Sequence, residues 1–91
     1  MKWRESAAGR GEMWYTGPWG EKKYTARKGG KVYTVVPAYE KPFARSGNVV
    51  WWSLDGNGTN KCWRTPEAAK AWCERDAGVI PQAHDAQGGG A

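Results

Sequence analysis

Few side chains in this sequence are of a type and spacing that could make or break a covalent bond. His84 is the only histidine, and it falls in a polar stretch ending in three glycines, where no folded scaffold is expected to hold a catalytic base or a metal ligand. Cys62 and Cys73 have no further Cys and no His at ligand spacing, which argues against zinc and reads as a pair of reduced thiols. The loop DGNGTN starts like a calcium loop at Asp55, Asn57 and Thr59. It then fails where such a loop is most constrained, with Asn60 in place of the sixth-position Gly and Pro66 in place of the twelfth-position Glu. Neither GRG nor ARKGGK has the spacing of a phosphate-binding P-loop. The expectation is therefore a protein that is not an enzyme, with no metal, no cofactor and no small-molecule substrate.

What remains is binding chemistry, carried by cations and aromatics. Residues 21–45 hold seven Lys or Arg against two Glu, while the rest of the chain carries seven of each sign, so the whole net charge of +5 belongs to this middle segment. A local excess of this kind favours a polyanionic partner. Seven Trp, four Tyr and one Phe supply most of the large apolar area, since Leu and Ile together number two; an aromatic side chain buries roughly 150–250 Å². The candidate binding residues are Arg27, Lys28, Lys31, Arg45, Trp51 and Arg64, cations to neutralise phosphates and an indole to stack on a base.

The elements that must position them are legible as short alternating runs. Strands are expected at 11–16, 21–28 and 31–36, with Gly29-Gly30 as a two-residue turn that sets Lys28 opposite Lys31. PAYEKPFARSGN, residues 37–48, contains two prolines and reads as a long connection that interrupts the sheet. VVWWSL and KCWR then form a second hairpin around DGNGTN. Thr65 as N-cap, Pro66 at the first helical position, Glu67 in the first turn and Gly78 as stop predict a helix over 66–77. The fold expected is α+β, an antiparallel sheet of about four to five strands with one C-terminal helix on one face. Residues 1–78 would form a single domain and 79–91 a flexible tail.

Alternation also assigns faces. Tyr24, Ala26, Tyr33 and Val35 are expected under the helix, joined by Val50, Trp52, Leu54 and Trp63 as the more apolar choice. Arg27, Trp51 and Arg64 would then share the open face. The N-terminus MKWRESAAGRGEMWY has no apolar run after its charges and no long apolar span follows, so a cytoplasmic protein with no membrane association is expected.

The stretch from Trp51 to Gly78 resembles the last hairpin and helix of two families of small sheet-plus-helix DNA-binding domains, those of plant ethylene-response factors and the arm-type domains of phage integrases. The resemblance rests on Trp63, Thr65, Glu67, Ala68, Ala69 and Trp72. It implies that the sheet face away from the helix grips DNA, through Arg27, Trp51 and Arg64. The chain as a whole resembles small Trp-rich single-domain phage proteins, some of which, the anti-CRISPR proteins, inhibit host defences. Two partners follow: nucleic acid, or a host protein that handles nucleic acid, in the host bacterial cytoplasm. A third reading is self-assembly through exposed aromatics.

Overall fold

The computed structural model describes residues 1–10 and 13–79. The chain is an α+β arrangement of five antiparallel strands and one helix: β1 (Arg4–Ala7), β2 (Lys22–Lys28), β3 (Lys31–Lys41), β4 (Ser46–Leu54), β5 (Asn60–Trp63) and α1 (Pro66–Asp76). Strand order in space is the order in the chain. Helix α1 packs against β3, β4 and β5. Among the described residues no helix is long and apolar enough to cross a membrane. The expected tail lies outside the described residues from residue 80 onward.

The hairpin between β2 and β3 has the predicted register, Lys28 opposite Lys31 and Ala26 opposite Tyr33. Gly29 and Gly30 take φ of 62° and 81°, the positive values that a two-residue primed turn demands at both positions. Helix α1 begins as its sequence directs. Thr65 is extended and its side chain accepts a hydrogen bond from the Ala68 N–H at 3.2 Å, with Pro66 next in the chain. It ends in a Schellman closure, in which the Val79 N–H reaches the Glu74 carbonyl and the Gly78 N–H the Arg75 carbonyl.

Three expectations fail, each for a physical reason. Of the expected strand 11–16, residues 11 and 12 lie outside the described ones, and the described part, 13–16, is turn and irregular chain. Tyr15 is buried there by reaching over the sheet, where it packs with Ala8 and Val36. The first strand is instead Arg4–Ala7, whose charged residues mark it as an edge. Residues 37–48 do not interrupt the sheet, because β3 runs on through Pro37 to Lys41 and the turn is only residues 42–45. Pro37 lies beyond the last β2–β3 pair, where β3 is paired on its β4 side alone, an edge-like position in which a missing N–H is tolerated.

The third failure is the facing of β4. Val35 pairs with Ser53 and Pro37 with Trp51, so Trp51 and Ser53 lie under the helix with Tyr33, Val35, Ala69 and Cys73, and Trp63 beside them. Trp52 and Leu54 look the other way, packed on Ala8, Tyr15 and Val36. Apolar content could not choose between these facings because both faces of β4 are covered. Serine on the helix side is satisfied locally, since its Oγ donates to the Ala69 carbonyl at 2.7 Å and leaves room for close approach.

Polar contacts fasten the N-terminal strands to the helix. The Trp3 indole N–H donates to Glu74 at 3.1 Å, and the Lys70 ammonium lies 3.7 Å above the Tyr24 ring. At the other end Asp76 accepts from the Tyr33 hydroxyl at 2.7 Å and from Lys31 at 3.2 Å.

Candidate functional site

The face of the sheet turned away from α1 is organised by one row of register partners. Arg4 pairs with Thr25, Thr25 with Thr34, Thr34 with Leu54 and Leu54 with Asn60, so the row crosses all five strands. Because side chains alternate along a strand, Arg27 points to the same face as Thr25, two residues on. Arg4 and Arg27 are thus diagonal neighbours on β1 and β2, a relation that spaces backbones about 7–8 Å apart. Both are exposed, and neither makes an ion pair among the described residues. They border a shallow groove of about 730 Å³ that also takes in Lys2, Ser6, Thr25 and the carboxylate of Glu5, which is itself paired with Lys22 at 2.9 Å. Lys28, exposed at the turn, stands at the same end of β2, but by the same alternation it starts from the helix side with its partner Lys31 and not from the open face.

The six residues expected from the sequence do not converge. Arg27 and Lys28 lie at the tip of the first hairpin. Lys31 stands at the same tip but turns toward the helix, with its ammonium 3.2 Å from Asp76 and 3.8 Å from Asp55, so its charge is already compensated. Arg45 is exposed in the turn at the opposite end of β3, with φ of 51°. The eleven residues of β3 separate the two ends, about 33 Å at strand rise. Arg64 is exposed just past the far edge strand β5, with β3 and β4 between it and β2. Trp51, expected on the open face, is 8% exposed beneath the helix and is corrected from a stacking residue to a core residue.

Asp55 has a structural employment as well. Its carboxylate accepts from the backbone N–H of Asn57 at 2.8 Å and of Thr59 at 3.2 Å, and these bonds, with Lys31 nearby, hold its pKa below the usual carboxylate value despite burial. Among the described residues no three His, Cys, Asp or Glu side chains gather to hold a metal ion.

Sequence reasoning missed the segment 13–19, which crosses the open face at its β3–β4 side. Tyr15 anchors it: its hydroxyl donates to the Pro18 carbonyl at 2.6 Å, and its ring meets Trp14 and Trp19 edge-on at centroid distances of 6.1 and 5.0 Å. Gly9 lets this cluster close, since a Cβ there would sit 2.7 Å from the Tyr15 ring and closer still to that of Trp19. Trp14 and Trp19 remain 63% and 64% exposed. Between this segment and the sheet lies a cleft of about 340 Å³, with Trp14 and Tyr15 on one side, Trp52 and Leu54 below and Asn60 at its edge. Arg4 was also missed. The alternation of Trp3 toward the core and Arg4 away from it was its only signal, carried by a strand of four residues.

Comparison with protein-family models, with curated proteins and with solved structures returns no match.

Proposed function

We propose that this chain is a non-enzymatic, cytoplasmic nucleic-acid-binding module that uses the open face of its sheet. The observation that carries the reading is the pair Arg4 and Arg27. Two guanidiniums on adjacent strands, exposed, uncompensated and held on one face, repel each other unless an anion lies between them, and a phosphate accepts their forked donors. Lys28 adds a third charge at the same end, and Thr25 offers a hydroxyl between the two arginines. Nothing here reads base sequence in the manner of a recognition helix, so the expected binding is tolerant of sequence.

Fluorescence anisotropy against labelled oligonucleotides over a salt series tests this. If Arg4, Arg27 and Lys28 each neutralise one phosphate, log K falls with log salt at a slope of about −2 on a single strand or about −2.7 on a duplex. The double substitution Arg4→Gln and Arg27→Gln should flatten that slope by about 1.4 to 1.8. Absence of binding, or an unchanged slope in the double variant, would refute the reading.

A second reading is favoured by one separate observation, the exposure of Met13, Trp14 and Trp19 on a single segment. Aromatic anchors of that kind suit a protein partner, including a host defence protein of the sort that phage inhibitors block. A partner recovered from bacterial lysate by the folded chain, retained after nuclease treatment and lost on Trp19→Ala, would favour it over the first.

A further inference from the structure

The cleft between residues 13–19 and the sheet has no role in neutralising phosphates, and its composition asks for a flat apolar ligand with a polar edge. The geometry points to this cleft as the seat of an unpaired nucleobase, which makes the module selective for single-stranded over double-stranded nucleic acid. The inference rests on the nucleic-acid reading above and specifies its ligand. Its walls offer exposed indole surface from Trp14 and a half-buried Trp52 below. A base can stack on such surfaces whatever its identity, because every base has a π face. Asn60 at the rim carries an amide that can both donate to and accept from a base edge.

What commits the cleft to a nucleic-acid strand, and not to an apolar peptide, is its connection to the cations. Leu54 and Asn60, which line the cleft, are the last two members of the row that starts at Arg4. The row runs over Thr25 and Thr34 without an acidic side chain on it. From Arg4 to Asn60 there are four strand spacings, about 19 Å, which a stacked strand covers in about five or six nucleotides. That length falls within the site sizes of sheet-based single-strand binders, about 4–16 nucleotides. A duplex cannot present an unstacked base to the cleft without opening.

The test measures binding of the full chain, and of its Trp14→Ala and Trp14→Phe variants, to a labelled single strand of about twelve nucleotides and to a duplex of the same length. Trp14 is mostly solvent-exposed, so its replacement leaves the core in place, and circular dichroism checks this. The single strand should bind at least about tenfold more tightly than the duplex, and Trp14→Ala should weaken it by about five- to 150-fold, the range of one lost stacking contact. Trp14→Phe should recover most of that loss, and duplex binding should not change. Salt-sensitive binding that treats single strand and duplex alike, with Trp14→Ala without effect, would overturn the cleft while leaving the arginine face standing. Binding to neither polymer would overturn both readings, and a protein captured in place of nucleic acid would assign the cleft to an apolar peptide.

Discussion

Replacing Trp51 by Ala separates a ligand-stacking indole from a core one. Trp51 is 8% exposed and sits among Tyr33, Val35, Ala69 and Cys73, with the Tyr24 ring 6.2 Å away between centroids. An indole of this size removes roughly 150–250 Å² from water, and at about 25 cal/mol per Å² the transfer contribution is about 4–6 kcal/mol. Because unfolded chains are themselves partly collapsed, that figure is an upper bound, and large-to-small core substitutions of Trp or Phe cost about 3–5 kcal/mol. A domain of 91 residues has about 5–14 kcal/mol in all, so the variant should be marginal or unfolded. Urea unfolding followed by far-ultraviolet circular dichroism is the assay. At a slope near 1.5 kcal/mol per molar, the midpoint should fall by about 2–3 M. Trp51→Phe keeps part of the packing and should fall by less. Trp14→Ala, by contrast, should stay within about 0.5 kcal/mol of the parent. A Trp51→Ala midpoint within that margin would refute the placement of the indole beneath the helix, and with it the facing of all of β4.

Two further outcomes are expected. Burial, with the hydroxyl's hydrogen bond to Asp76, pushes Tyr33 from its ordinary pKa of 10.0 up to about 12. The raised pKa contributes stability that is complete below pH 10 and lost as pH rises toward 12. Tyr33→Phe should remove one late-titrating tyrosine from the tyrosinate absorbance curve and flatten the urea midpoint across that window. Of the two thiols, Cys62 is exposed and Cys73 is buried with its pKa pushed up to about 11, chiefly by burial, so a thiol reagent near neutral pH should modify Cys62 in the folded protein and both only after unfolding. Equal reactivity in the folded state would show that the helix does not stay seated.

The features legible in the sequence are those fixed by neighbours in the chain. The Gly29-Gly30 turn, the register behind it, the Thr65 cap and the stop at Gly78 each depend on a few adjacent residues, and each is where the sequence placed it. What went astray depends on contacts between distant segments. Tyr15 alternates with its neighbours as a strand residue would, yet it is buried by tertiary packing on Val36, Trp52 and Leu54. Trp51 and Trp52 are equally apolar, so only the position of the 42–45 turn, hidden by two prolines, decides which of them meets the helix. For the candidate site, the exposure of Arg27 follows from strand parity alone. The capture of Lys31 by Asp76, 45 residues on, does not follow from any local pattern.

A sheet whose strands lie side by side in the order they are made can grow by successive hairpins as the chain leaves the ribosome, with no crossover to wait for. Among the described elements the helix emerges last, so until it arrives the face holding Tyr33, Val35 and Trp51 stands bare. The nascent chain passes through a stage in which its stickiest surface has no cover, and truncation before residue 66 should leave it there, prone to associate with other copies. The charged edge strand Arg4–Ala7 and the four-residue β5 limit edge-to-edge pairing at that stage, which gives these short, unremarkable strands a use during synthesis as well as after it.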